Sequence, residues 1–475
     1  MSSTFGGLTR ATTALWAAQR GLDVTGQNIS NVNTAGYSRQ RVEQSSMNGA
    51  TLPAIWSVSD GVGSGVDSNT VLRIRDAFLE ARGRLETATT ARLTVQSAAF
   101  TRIEQAFREP GDTGIQSMLA DVFSGFSDVA NHPLDEAPRR QVMERLATLA
   151  AGIRTTASTL DKQWDDTRTA LGTMVTDVNA TARSIADLNT KIQSGTLSGS
   201  SVNELVDKRD GLVMKLAEQV GATAVAKDGG MVDVVVGGTT LVSGRSAIGL
   251  ALEGSSGIGG VAGDPPRLVT VPGGTTVQPG GTAEGQLSVL TTVVPTYRQA
   301  LDSLASGLAD ALNSAHAAGF DLAGNPGEPL VGNGPGTGAV DPLLVTAANI
   351  TVRITDPRAL AAAGPSPSGA TTANGNNADA LYRLSLDPVG VNATYRELIV
   401  GLGVQSAVAA RDLQVQTVVR DQVDAARESV AGVNLDEEMT NMMAYQHAYA
   451  AAARLVTAID EALNTLINGT GVVGR

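Results

Sequence analysis

Leu8-Thr-Arg-Ala11-Thr-Thr-Ala-Leu15-Trp-Ala-Ala18-Gln-Arg-Gly-Leu22-Asp-Val-Thr25-Gly-Gln-Asn-Ile29-Ser-Asn-Val32 repeats an apolar residue every seven positions, with Ala11, Ala18, Thr25 and Val32 at the intervening sites. Near the other end Leu435, Met442, Tyr449, Val456 and Leu463 keep the same step, with Glu438, Tyr445, Ala452, Ile459 and Leu466 between them. A seven-residue apolar period is the mark of helices that pair along a seam. At about 1.5 Å per residue the first stripe predicts a helix of about 40 Å over residues 5–32. Chain ends usually fray, so stripes placed there need partners: each other, or neighbouring molecules as well. Both readings stand at this level.

The chain has 475 residues, enough for two to four domains. Only 3% of it is aromatic, and the 42% hydrophobic fraction is mostly Ala, Val and Leu, which suits slender helix packing and an elongated molecule. A net charge of -12 argues against the basic surface that nucleic-acid binding demands. Cysteine is absent, which removes disulfides, thiol catalysis and thiolate metal sites. The first twenty residues interleave Thr9, Arg10, Thr12, Thr13, Gln19 and Arg20 and lack the apolar core of a cleavable signal peptide. No apolar run of about 18 residues predicts membrane insertion.

Outward from the first stripe, Gly36 ends a polar stretch and is suited to a positive φ. Residues 38–70 predict extended loops or a hairpin. A helix is expected from Val71 to Phe107, stopped by Pro110-Gly111, and a shorter one over 113–130, stopped by His132-Pro133. Residues 139–193 carry apolar residues at three-, four- and seven-residue steps, from Leu146 through Trp164 to Ile192, and predict a long rod. A further helix covers 201–219. The Val232–Val236 and Thr239–Val242 runs around Gly237-Gly238, with Leu268–Val271 and Thr275–Val277 around Gly273-Gly274, predict hairpins. Helix resumes at 285–318, kinked or split by Pro295, then at 377–386 and from 392 to 467.

The fold class is therefore mainly α with a β insertion, elongated and multi-domain. Its N- and C-terminal helices pair as a coiled coil, followed by a long helical rod and a small outward β domain. The expected divisions are 1–38 with 433–468 (terminal coiled coil), 39–224 with 285–432 (helical rod with minor β elements), 225–284 (β insertion) and a tail, 469–475.

Few residues invite chemistry. His132, His316 and His447 are far apart, and surface or capping roles outweigh a metal site. Asp321-Leu-Ala-Gly-Asn325 starts like a calcium loop, but Ala323 stands where an oxygen ligand belongs, so a plain turn is expected. Gly257-Ile-Gly259-Gly-Val-Ala262 fits a dinucleotide fingerprint only formally, because Pro265-Pro266 follows. Asp436-Glu437-Glu438 follows Asn434 and reads as a helix cap, with Glu437 at the acid position of a capping box. No catalytic, cofactor-binding or metal residues are assigned.

Asn28-Ile29-Ser-Asn31-Val-Asn33-Thr-Ala-Gly36-Tyr37 resembles the N-terminal signature of bacterial flagellar rod, hook and hook-associated proteins. Gly432-Val-Asn434-Leu-Asp-Glu-Glu438, with the closing helix to Asn468, looks like the C-terminus of the first hook-associated, or hook-filament junction, protein family. Lys208-Arg209-Asp210 through Gly221, and His316 through Asn325, are similar to that family's middle region. The tail Gly469 to Arg475 runs past the family's usual end.

The resemblance implies a non-enzymatic structural adaptor, made in the cytoplasm and exported by the flagellar type III apparatus to the hook-filament junction outside the cell. It implies a homo-oligomer in the axial structure, contacts to hook protein and to the next junction protein, and an export chaperone on the C-terminal helix. It implies no cofactor, nucleic acid or membrane insertion. The expected assembly interface is Leu8, Leu15, Leu22, Asn28, Ile29, Asn31, Asn33, Gly36, Tyr37, Leu435, Met442, Tyr449, Val456 and Leu463. The alternatives are a hook or rod protein, or a secreted enzyme working through the β insertion.

Overall fold

After Pro138, which sits in the first helical turn where its missing N–H does no harm, no proline interrupts the chain up to Leu197. The result is a single helix, Glu136–Leu197, of 62 residues and about 93 Å. The computed structural model describes residues 4–34, 36–47, 63–334, 340–365 and 374–469. In chain order the α-helices among them are α1 (Thr4–Ser30), α2 (Ala77–Phe107), α3 (Ile115–Asn131), α4 (Glu136–Leu197), α5 (Asn203–Val220), α6 (Gly281–Ser288), α7 (Val294–Ala317), α8 (Asn376–Arg383), α9 (Val391–Ala431) and α10 (Leu435–Asn464). The strands are β1 (Gln40–Met47), β2 (Gly65–Arg73), β3 (Thr223–Ala226), β4 (Val232–Val236), β5 (Thr239–Ser243), β6 (Ser246–Ala247), β7 (Gly249–Glu253), β8 (Arg267–Val271), β9 (Thr276–Val277), β10 (Val331–Gly332) and β11 (Thr351–Val352). The chain is mainly α and elongated, with a β insertion between helical segments.

The hairpin expected within residues 38–70 is the antiparallel pair β1-β2, with Gln40 opposite Arg73 and Met47 opposite Gly65. It extends further than its sequence suggested and shortens the next helix. Val71 and Leu72 pair with Val42 and Arg41, so α2 begins only at Ala77, where Asp76 caps it by accepting the Leu79 N–H at 3.0 Å.

The insertion holds two antiparallel sheets, β3-β4-β5-β6 and β7-β8-β9. Gly237 and Gly238 both take positive φ, 52° and 81°, in the β4-β5 turn, as a tight hairpin requires. Both sheets rest along α4, and Val234, Val242, Leu250 and Leu268 share one continuous apolar core with Leu171, Val178 and Ile185 of that helix. Ahead of Pro295 the helix widens into a π turn, Val289–Val293, in which the Val294 N–H reaches back to the Val289 carbonyl. The Leu290 carbonyl instead accepts the indole N–H of fully buried Trp164 at 2.9 Å. The split at Pro295 thus lets Trp164 lock α4 to the α6-α7 segment. On the far flank α9 runs along α2, and α1 lies against α10 and the β1-β2 hairpin.

Residues 319–334 and 340–365 carry little regular structure and are held by two buried polar side chains. Arg139 of α4 donates to the carbonyls of Pro133 and Leu360. His316, fully buried, meets the Glu328 carbonyl through Nδ1 at 2.6 Å and accepts the Ala361 N–H on Nε2 at 2.7 Å. Burial, reinforced by nearby Arg139, holds its pKa down at about 4 despite the Glu328 bond and Asp321. The folded form is the neutral ring, and the unfolded chain takes up the proton first. This contribution is whole above pH 6.5 and is lost as pH falls towards 4, by roughly 3 kcal/mol at most. Urea unfolding at a series of pH values should show that acid-side loss in the wild type, and His316→Gln should flatten it.

Candidate functional site

The two polar motifs that flank the terminal helices converge on one buried carboxylate. Asn28, on the last turns of α1, is 1% exposed, and Glu438, in the first turn of α10, is 2% exposed. The Asn28 amide nitrogen donates to Glu438 Oε2 at 3.1 Å and to the Gln40 carbonyl at 2.9 Å. Its oxygen accepts the Gln40 N–H at 3.0 Å and the Tyr37 hydroxyl at 2.8 Å. All four bonding positions of the amide are filled. Arg39 donates from Nε to Glu438 Oε1 and from Nη1 to Glu437 Oε2, both at 2.7 Å, while its backbone N–H reaches the Ala431 carbonyl at 2.9 Å.

The intervening turn brings Tyr37 back to Asn28. Asn31 donates to the Gln27 carbonyl and accepts the Thr34 hydroxyl, and Gly36 takes the expected positive φ, 78°. Asn33 is exposed. Asn434 caps α10, accepting from Asp436 and Glu437 at 3.0 and 3.3 Å. The acid trio is nonetheless more than a cap. Glu437 turns to Arg39 rather than closing a capping box, and Glu438 is the pivot of the junction.

From that pivot the two helices run antiparallel. A Cβ on Gly21 would lie 2.6 Å from the Tyr445 ring, and one on Gly7 would lie 3.5 Å from Ile459. With Asn28 against Glu438, these pairs step by seven or fourteen residues in opposite directions. The seam facing α10 is therefore the small-residue row, with Ala11, Ala18 and Thr25 buried beside it. Leu8, Leu15, Leu22 and Ile29 flank it and stay half-buried, as do Met442, Val456 and Leu463, while Leu435 and Tyr449 are exposed. Phe5, Trp16, Met439, Met443 and Leu455 add exposed apolar surface on the same pair. On α9, Val400, Val404, Val408, Val415 and Val418 form an exposed row.

A second knot, not read from sequence, fastens the junction to the rod. Arg73 pairs with Asp207 at 2.6 Å and Asp210 at 2.8 Å. Arg75 adds Asp207, Asp210 and Glu80, and Glu80 also takes Arg427 of α9 at 3.1 Å. Ser38 donates to Asp207 at 2.8 Å. Burial would raise the Asp210 pKa, but the Arg73 hydrogen bond and the charges of Arg209, Arg73 and Arg75 hold it below the usual carboxylate range. The signal was the clustered charge of Arg73-Ile-Arg75 and Asp207-Lys-Arg-Asp210, whose pairing only the fold reveals.

The other candidates fall elsewhere. His132 ends α3, His316 is buried in the rod and His447 is exposed on α10. Asp321 accepts the N–H groups of Ala323 and Asn325 in a plain turn, and residues 258–260 form a short 3-10 turn.

Residues 100–331 match the family described as flagellar hook-associated protein FlgK helical domain. Residues 8–37 match the flagella basal body rod protein family, and 427–469 the flagellar basal body rod FlgEFG protein C-terminal family. The chain is 29% identical to flagellar hook-associated protein 1 of Bacillus subtilis over 100% of both chains. It is 25% identical to flagellar hook-associated protein 1 of Escherichia coli over 97% of this chain and 99% of that one. The flagellar hook junction protein FlgK from Burkholderia pseudomallei shares the fold, with a TM-score of 0.62 at 18% identity over 74% of this chain and 100% of that one.

Removing either half of the pivot strands buried polar groups. Glu438→Ala, which leaves one Asn28 amide N–H and the Arg39 Nε without an acceptor, should cost about 2–4 kcal/mol. Limited proteolysis should then cut α1 and α10 earlier while α4 stays intact; equal loss throughout the chain would show that the junction is not local.

Proposed function

Since the chain belongs to the flagellar hook-associated protein 1 family, we propose that it is a structural adaptor between hook and filament, assembling outside the cell through its terminal helices. The observation that carries this reading is the incomplete burial of the α1-α10 pair. Its centre is tight, yet the Leu8, Leu15 and Leu22 row stays half-buried, and Leu435 and Tyr449 stand in solvent. An exposed apolar surface of that extent calls for a partner. Neighbours in a tube would supply it through heterologous contacts repeated around the axis.

In this proposal Leu8, Leu15, Leu22, Ile29, Leu435, Met442, Tyr449, Val456 and Leu463 face neighbouring copies, and Asn31, Asn33, Gly36 and Tyr37 shape the adjoining turn. Asn28 serves within the chain, setting the register. The further partners are hook protein on one side and the next junction protein on the other. Before export through the type III apparatus, α10 would present its exposed Met439, Met443 and Leu455 to a chaperone, so deleting residues 434–467 should abolish that complex. The hook or rod alternative draws on the rod-family matches at the two ends. The match of residues 100–331 to a hook-associated helical domain favours the junction.

A tagged chain should be found at the tips of hooks that lack filaments, and its deletion should leave bare hooks. Labelling along the hook or inside the basal body would overturn the junction assignment. Amide exchange in α1 and α10 should slow at least tenfold from dilute monomer to assembled junction; full protection in the monomer would remove the need for neighbours.

A further inference from the structure

A groove of about 660 Å³ runs between α2 and α4. Two side-chain bonds span the helices there: Gln163 donates to the Ala99 carbonyl at 3.2 Å and Thr156 to the Ala106 carbonyl at 3.4 Å. These bonds fix an antiparallel alignment, in which Asp166 comes level with Gln96. Ala98, Ala99, Ala106 and Ala170 line the groove, and such small side chains leave room for a ridge from another helix. Arg108 stands at one end and Asp166 towards the other, twelve residues along α2 and about 18 Å apart. Both side chains are exposed, and neither forms an ion pair or hydrogen bond among the described residues.

The ridge that fits this groove is on α9. Steps of three and four residues put Glu397, Val400, Val404, Val408, Arg411, Val415 and Val418 on one helix face. The five valines are all more than half exposed, and no other described helix outside the terminal pair exposes more than two large apolar side chains. Glu397 and Arg411 are exposed as well, without side-chain partners among the described residues. They lie fourteen residues apart, about 21 Å. The row thus carries an acid and a base at nearly the spacing at which the groove carries a base and an acid.

We propose that the α9 row of one copy lies in the α2-α4 groove of the next, antiparallel to that α2, with Glu397 on Arg108 and Arg411 on Asp166. The reverse direction would set like charges against each other. Exposed pairs of this kind add little affinity and instead fix direction and register, while the valines supply the buried surface. Arg102 and Lys162, exposed beside the groove, lay their stems along the row and keep their heads in water. Row and groove are different surfaces of one chain, so the contact is head-to-tail and can repeat around an axis. The proposal rests on the junction reading and adds a rod-to-rod contact to it.

The chain has no cysteine, so an engineered pair reports this contact alone. Ala98 and Val408 are exposed, and the proposed register brings them level. With Ala98→Cys and Val408→Cys in one chain, a short bis-maleimide should link copies into a ladder in isolated hooks that carry the protein at their tips. Linkage within single chains only, no linkage, or dimers from either single variant would overturn the proposal. Asp166→Arg and Arg411→Asp should each melt with the wild type by circular dichroism, yet leave about tenfold fewer copies retained at hook tips. The two together should restore retention, and single losses without restoration would reject the register. Absence of the wild-type protein from hook tips would reject the junction reading itself, a separate outcome.

Discussion

A carboxylate that is 2% exposed has lost nearly all its water, and that loss costs several kcal/mol unless the protein replaces the solvent. Glu438 recovers its bonds from Asn28, 410 residues earlier, and from Arg39. Both donors reach it only when the end of α1, the start of β1 and the start of α10 lie together. One unsatisfied position would therefore penalise every alternative register of the terminal pair, which the small-residue seam alone would tolerate. A polar group at one heptad position fixing the register of its neighbours is the best-attested use of buried polarity.

From this point order spreads into the rod through charge rather than apolar bulk. Arg73 and Arg75 leave β2 for Asp207 and Asp210 on α5, and Glu80 on α2 binds Arg427 on α9. The hairpin thus acts as a bracket between the terminal pair and the helices behind it. Apolar packing takes over beyond the bracket, where α4 supplies one side of a core running from Val142 to Ile185. With only 3% aromatic residues, that core relies on Ala, Val and Leu in narrow layers, so Trp164 and its bond to Leu290 do a disproportionate share of the locking.

Much of this was readable from local pattern. Heptad spacing predicted α1 and α10, proline-free periodicity predicted α4, and Gly-Gly turns between β-branched runs predicted the hairpins. The misreadings share one cause, the priority of tertiary pairing over local preference. Val71 and Leu72 look helical until Val42 and Arg41 claim them in the sheet. The leucine row looked like the seam because it is the more apolar, yet Gly7 and Gly21 are where α10 comes close. Glu438 read as a capping acid, although it is the single charge at an otherwise apolar set of heptad positions. That anomaly was visible in sequence, and it marked the site.

The difference between the leucine row and the glycine row has a structural consequence. Had leucines met across the seam, the pair would have buried its own apolar surface and finished as a closed two-helix unit. Small residues bring the backbones together instead and push the larger side chains to the flanks, where each can contact a neighbouring helix while its own pair stays intact. A tube of repeated subunits needs this division, because intrachain and interchain contacts must be made at once by the same two helices. In the proposed assembly the buried amide and carboxylate would hold the pair in register while its flanks exchange solvent for neighbours, so that contacts are added without any being remade.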